Sequence, residues 1–162
     1  MVAIWLDGQL CRLPAGTTLL QAVRLQGGDL PTLCHDERVV SQGRCGICLV
    51  EEEGRGDLPA CQTVVREGAA YRSRSPRLEA ARQAAMRLIL HGHPLHCLGC
   101  PVEGGCRLQR VAEGLGFTPS AYTGSLLLDD RHPLLHLDPG LCIHCGLCVA
   151  VCRDLQGVDV LG

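Results

Sequence analysis

The residues best equipped for chemistry are cysteines, 12 of them in 162 residues, and all but Cys11 fall into three groups. The first is Cys34, Cys45, Cys48 and Cys61. The second is Cys97, Cys100 and Cys106, with His91, His93 and His96 just before or among them. The third is Cys142, Cys145, Cys148 and Cys152. Gaps of two residues between cysteines let neighbouring thiolates meet one centre, and a more distant ligand closes the cage. Thiolates select iron–sulfur clusters or zinc. A disulfide framework is the competing use of so many cysteines, but it belongs to secreted chains. The N-terminal MVAIWLDGQL has no basic region followed by a long apolar stretch, so no signal peptide is read there. The expectation is a cytoplasmic chain with reduced thiols that hold three clusters in series, and hence an electron-transfer role.

The first group is spaced C-x10-C-x2-C-x12-C, and four thiolates can hold two irons. Gly43 and Gly46 flank Cys45, so the backbone there can approach the centre closely and aim N–H groups at sulfur. A zinc ribbon would use the same four cysteines. The third group is C-x2-C-x2-C-x3-C, the bacterial ferredoxin run that signals a [4Fe–4S] cluster. In two-cluster ferredoxins the fourth cysteine of such a run serves the other cluster. This chain has one run and stops ten residues after Cys152. Three arrangements remain open: Cys152 closes the cluster, a nearby chain supplies the fourth ligand, or the run binds less than a full cluster. Cys11 reads as a small buried apolar residue of a strand.

Elements of several kinds must position these groups. Val2, Ile4 and Leu6 alternate with Ala3 and Trp5 as a strand does. Asp7-Gly8 suits a tight hairpin, with Leu10–Leu13 returning. Thr17 or Thr18 caps a short helix whose apolar side is Leu19, Leu20, Val23 and Leu25, and Gly27 stops it. Residues 28–44 read as an irregular loop carrying Cys34. Further strands are expected over 47–53, 61–65 and 70–74, with a turn at 54–57 between the first two. Ser75-Pro76 then opens a helix with Leu78, Ala81, Ala85, Leu88 and Ile89 inward. Arg77, Arg82 and Arg87 are assigned to solvent, and Gly92 ends the helix. A second helix is expected over 107–115, and a turn-rich stretch over 118–138 with a short strand at 126–128. The fold class is α+β.

LPTLCHDERVVSQGRCGICLVE, followed by LPACQTVVREG, resembles the N-terminal ferredoxin-like domain of the large iron–sulfur subunit of respiratory complex I. The same domain occurs in the diaphorase part of NAD-linked hydrogenases and in NAD-linked formate dehydrogenases. The resemblance implies a β-grasp fold and a [2Fe–2S] cluster on Cys34, Cys45, Cys48 and Cys61. HGHPLHCLGCPVEGGCRLQ resembles the family's next segment, which implies a [4Fe–4S] cluster on His93, Cys97, Cys100 and Cys106. A neutral imidazole in place of a thiolate leaves a cluster less negative and easier to reduce. Three units are expected. A β-grasp [2Fe–2S] domain occupies 1–75. A small helical domain with one histidine and three cysteine ligands occupies 76–120. A ferredoxin-type [4Fe–4S] segment occupies 121–162. The cofactors implied are one [2Fe–2S] and two [4Fe–4S] clusters. The partners implied are a flavin-containing NADH-oxidising subunit, a thioredoxin-like [2Fe–2S] subunit, and a catalytic formate dehydrogenase or hydrogenase subunit.

Composition narrows the alternatives. Formal net charge is −2, the basic residues are all scattered arginines, and there is no basic run, which argues against nucleic acid. No apolar run approaches the ~18 residues of a membrane span. Neither G-x-G-x-x-G nor G-x-x-x-x-G-K-[ST] is present. With four aromatic residues, 20 glycines and 9 prolines, the core is thin and clusters must supplement it. The reading is therefore a non-catalytic electron carrier within an oxidoreductase complex. Its alternatives are a free multi-cluster ferredoxin shuttle and a zinc-stabilised interaction module.

Overall fold

The computed structural model describes residues 1–93, 95–121, 133–134 and 137–161. The chain begins with β1 (Val2–Leu6) and β2 (Gln9–Leu13), an antiparallel hairpin pairing Val2 with Leu13 and Leu6 with Gln9. Both turn residues take positive φ, 51° at Asp7 and 83° at Gly8, which matches the right-handed twist of the strands. The Asp7 carboxylate also accepts from the Ser73 N–H (2.7 Å) and hydroxyl (2.6 Å), fastening the turn to a neighbouring segment of the chain. α1 (Leu19–Leu25) starts at a reciprocal cap in which Thr18 and Gln21 satisfy each other's backbone N–H.

β3 (Leu49–Glu52), β4 (Gly56–Pro59) and β5 (Ala70–Arg72) complete a five-stranded sheet of order β2-β1-β5-β3-β4. β1 and β5 are parallel and the other pairs antiparallel. Ile4, Leu6, Leu13, Val50 and Tyr71 join Leu19, Leu20 and Val23 of α1 in one buried cluster. Glu52 is also buried, its carboxylate held by Arg66 and by Arg55 at 3.4 Å. A mixed sheet grasping one helix agrees with the expected α+β, β-grasp class.

α2 (Pro76–Gly92) is capped by the Ser75 hydroxyl, which accepts from Leu78 N–H at 3.1 Å. It leads to β6 (His96–Leu98), α3 (Arg107–Gly114) and β7 (Ser120–Ala121), which pairs with β6 in parallel. A second core gathers Met86, Leu95, Leu108, Ala112 and Leu115 with Leu33 and Ile47. The last two flank the first cysteine group, so the two cores meet there. A 3-10 turn (Pro139–Leu141) and α4 (Leu147–Asp154) follow.

Four local expectations need correction. Residues 61–65 are not a strand: the Pro59 carbonyl accepts from Gln62 N–H, Thr63 N–H and the Thr63 hydroxyl, closing a turn, and Val64 keeps an isolated bridge to Thr18. The expected turn at 54–57 is shorter, because Gly56 already pairs with Glu52 as β4 begins. On α1, Leu25 is 65% exposed and Ala22 takes its place inside. On α2, Leu88 is 78% exposed while Arg82, assigned to solvent, is 4% exposed. The buried stripe is Leu78, Arg82 and Met86, one residue every four. Cys11 is buried in β2 as expected. The strand expected at 126–128 lies outside the described residues.

Candidate metal centres

The first centre is built by a hairpin and a loop. Pairing of Leu49 with Pro59, extended by the Ala60 N–H bond to the Cys48 carbonyl (2.9 Å), brings Cys48 and Cys61 together at the open end of β3–β4. Gly43 (φ 62°) and Gly46 (φ 65°) curl the intervening loop, so that Arg44 N–H and Cys45 N–H donate to Cys34 Sγ at 3.2 and 3.4 Å. The four thiols form two pairs. Cys34 donates to Cys45 and Cys48 donates to Cys61, which pulls the pKa values of Cys45 and Cys61 down. The same bonds, with burial, push Cys34 and Cys48 up. Backbone N–H groups of Ile47 and Leu33 further favour a Cys45 thiolate, and the Ser41 hydroxyl favours one at Cys61.

A dinuclear cluster takes two thiolates on each iron. One tetrahedral zinc would instead draw all four thiols around a single point.

The second centre gathers at the end of α2. His93 caps that helix, its N–H on the Ile89 carbonyl at 3.2 Å, and its Nδ1 is buried with no hydrogen-bond partner. Cys97 lies on β6, a turn closed by Cys100 N–H on the Cys97 carbonyl (3.0 Å) carries Cys100, and Cys106 is the residue before α3. Burial and the nearby Cys106 and Cys100 thiols push the Cys97 pKa up. All four side chains line one cavity of about 280 Å³. A buried imidazole nitrogen without a partner is costly unless something binds it. An apolar-walled cavity lined by one histidine and three cysteines fits a [4Fe–4S] cluster. His96 lines the same cavity.

The third group winds onto α4. Cys142 follows the 3-10 turn, His144 (φ 53°) and Gly146 (φ 74°) bend the chain, and Cys148 and Cys152 lie one turn apart on the helix. Cys145 and Ile143 also face the cavity of the second centre, so the two sites adjoin. Cys148 is exposed, whereas Cys152 is buried with its thiol donating to the Val158 carbonyl at 3.1 Å. The N-terminus of α4, between Cys145 and Cys148, would favour an anionic cluster beside it.

Cross-links that carry no motif hold the sites together. Arg107, beside Cys106, donates to the His35 carbonyl at 2.8 Å. Asp154 accepts from Val40 N–H at 2.9 Å. Arg82 donates to the Leu49 and Ser73 carbonyls, both at 2.7 Å. Cysteine spacing carries no sign of these residues, because each acts through a backbone atom distant in sequence.

Comparison with known proteins agrees with this geometry. Residues 1–76 match a 2Fe-2S iron-sulfur cluster binding domain, 82–120 an NADH-ubiquinone oxidoreductase-G iron-sulfur binding region, and 135–154 a 4Fe-4S binding domain. Over 99% of its length the chain is 36% identical to the alpha subunit of an NADPH-Fe(3+) oxidoreductase of Geobacter sulfurreducens, covering 20% of that protein. It is 34% identical to the HndD subunit of an NADP-reducing hydrogenase of Solidesulfovibrio fructosivorans, over 99% of this chain and 29% of that one. It is 33% identical to a G-type subunit of the NADH-quinone oxidoreductase of Rhizobium meliloti, over 100% of this chain and 20% of that one. The chain thus spans between a fifth and under a third of these curated relatives. A chain in the crystal structure of an NAD+-reducing [NiFe]-hydrogenase in the H2-reduced state superposes with a TM-score of 0.85. That match has 30% identity and covers 99% of this chain and 69% of that one. No helix among the described residues is long and apolar enough to cross a membrane.

Proposed function

Because the chain belongs to the family of iron–sulfur subunits shared by NAD(P)-linked hydrogenases and complex I-type oxidoreductases, we propose that it relays electrons inside a cytoplasmic, NAD(H)-linked complex. Its neighbours in that complex are a flavin-containing NADH-oxidising subunit, with its thioredoxin-like [2Fe–2S] companion, and a catalytic subunit of hydrogenase or formate dehydrogenase type. The observation that carries this reading is the largely apolar cavity lined together by His93, Cys97, Cys100 and Cys106.

The family's cofactors, one [2Fe–2S] and two [4Fe–4S] clusters, supply one-electron redox chemistry when bound. The chain's residues hold and tune them. Cys34, Cys45, Cys48 and Cys61 form the first ligand set, and His93, Cys97, Cys100 and Cys106 the second. Cys142, Cys145 and Cys148 belong to the third, with Cys152 as its candidate fourth ligand. Arg44 and Cys45 N–H groups on Cys34 Sγ stabilise negative charge on that sulfur. Leu33, Leu95 and Leu108 give the second cavity an apolar wall. The stretches 1–75, 76–120 and 121–162 are each assigned one centre.

Elemental analysis of the native complex, purified without oxygen, tests this. Iron and sulfide with nickel indicate a [NiFe] hydrogenase partner. Molybdenum or tungsten indicates a formate dehydrogenase partner. Iron in a stable monomer with no co-purifying subunit favours the free ferredoxin shuttle. Zinc without iron, and no visible absorption, overturns the electron-carrier reading.

A further inference from the structure

One arginine touches both the first and the third cysteine groups. The backbone N–H of Arg44 donates to Cys34 Sγ at 3.2 Å, in the first group. Its guanidinium covers Gly146, in the third. A β-carbon on that glycine would stand 3.3 Å from Arg44 Nη1, 3.4 Å from Cζ and 3.5 Å from Nε. Near-equal distances to three atoms of a planar group mean that its face lies on the glycine. Gly146 is glycine for two reasons: φ is 74° there, and a side chain would press on the guanidinium. The opposite end of α4 is held to the same loop by Asp154 on Val40 N–H, so the contact is fixed from both ends.

Electrostatics say what this placement is for. Gly146 is the N-cap of α4, where the helix dipole favours an anion and disfavours a cation. Among the described residues no carboxylate bonds to the Arg44 guanidinium. The guanidinium is exposed, and negative charge beside it, as a thiolate-ligated cluster in either motif would bring, offsets the unfavourable dipole.

We propose that Arg44 is a shared positioning residue of the first and third centres, holding the third motif against the first and raising the reduction potential of both. The proposal rests on the ligand sets given above. A nearby positive charge favours the reduced, more negative state of a cluster, so one guanidinium between two clusters biases both in the same direction. The second centre, whose ligands Arg44 does not touch, serves as the internal control.

The test is an EPR-monitored redox titration of the anaerobically purified protein, with iron and sulfide counted, for the wild type, Arg44→Gln and Arg44→Lys. Arg44→Gln is expected to lower the midpoints of the first and third clusters and leave the second in place. Arg44→Lys, which keeps the charge, is expected to return both towards wild type. A shift of the first alone, of all three equally, of none, or of the same size in both variants overturns the proposal. If Arg44→Gln loses iron, Arg44→Lys decides: midpoints near wild type at full occupancy uphold it, and first and third midpoints that fall at full occupancy overturn it. A wild type that lacks separate first and third signals instead sinks the ligand assignment, a failure distinct from this one.

Discussion

Arg82, on α2, donates to the carbonyl of Leu49, the first residue of β3, at 2.7 Å. The same nitrogen donates to the Ser73 carbonyl at 2.7 Å. Leu49 directly follows Cys48, and α2 leads directly into His93. One buried guanidinium therefore fixes the helix that delivers the second ligand set to the strand that carries the first. Arg82→Met should cost about 1.5–3 kcal/mol, the worth of hydrogen bonds to a charged donor, because it leaves two carbonyls unpaired. Arg82→Lys should recover only part of this, since an ammonium lacks the planar fork. Denaturant unfolding of the oxygen-free, cluster-loaded protein measures both. A loss for Arg82→Met below about 0.5 kcal/mol, the low end for a single neutral hydrogen bond, would show that the bond is not a structural link.

Cys48 and Cys11 are both buried cysteines near the same sheet, yet they should behave differently. Cys48→Ser should abolish the [2Fe–2S] signal and destabilise the N-terminal sheet, because cluster binding is part of the folding free energy. Cys11→Ala should keep all three clusters and cost about 1 kcal/mol, the effect of a small packing defect. Iron and sulfide counts with visible spectra separate the two. Cys11→Ala losing iron, or Cys48→Ser keeping its signal, would reverse the assignment of these thiols.

His93→Cys should retain the second cluster and lower its midpoint potential, on the order of 100 mV or more by comparison with other imidazole-ligated clusters. A thiolate adds negative charge where the imidazole adds none, and that disfavours reduction. His96→Cys, on the same cavity but not assigned as a ligand, should shift it less. Redox titration reads both, and equal shifts would leave no basis for choosing His93.

The parts of this molecule that could be read from sequence are those fixed by local chemistry. Asp7-Gly8 has to turn, Thr18 and Ser75 have to cap, and cysteines two residues apart have to share a centre. Local pattern misleads where tertiary contacts override it. Arg82 looks like solvent-facing charge on a helix until the Leu49 and Ser73 carbonyls are brought beside it. Leu88 fits the apolar period, but the helix is rotated so that Met86 is buried in its place. Residues 61–65 have β-branched strand composition, yet the Pro59 carbonyl draws Gln62 and Thr63 into a turn. Arg44, Arg107 and Asp154 carry no sequence signal because their partners are backbone atoms or a bare glycine face, which leave no side-chain signature.

Gly46 tests how tightly the first centre depends on its loop. It lies between Cys45 and Cys48 with φ 65°, and a β-carbon there would sit 3.4 Å from Ala85 Cβ on α2. Space is adequate, so the penalty of Gly46→Ala is backbone strain, about 1–2 kcal/mol for a left-handed non-glycine residue. Part of that strain can be relieved by unwinding the loop, which would withdraw the N–H groups now aimed at Cys34 Sγ. The variant should therefore show reduced stability and a lower [2Fe–2S] midpoint together. Gly54→Ala, at φ 76° in an open turn remote from the cysteines, should show the stability loss alone. Equal midpoints in the two variants would mean that the loop's N–H groups do not tune the centre.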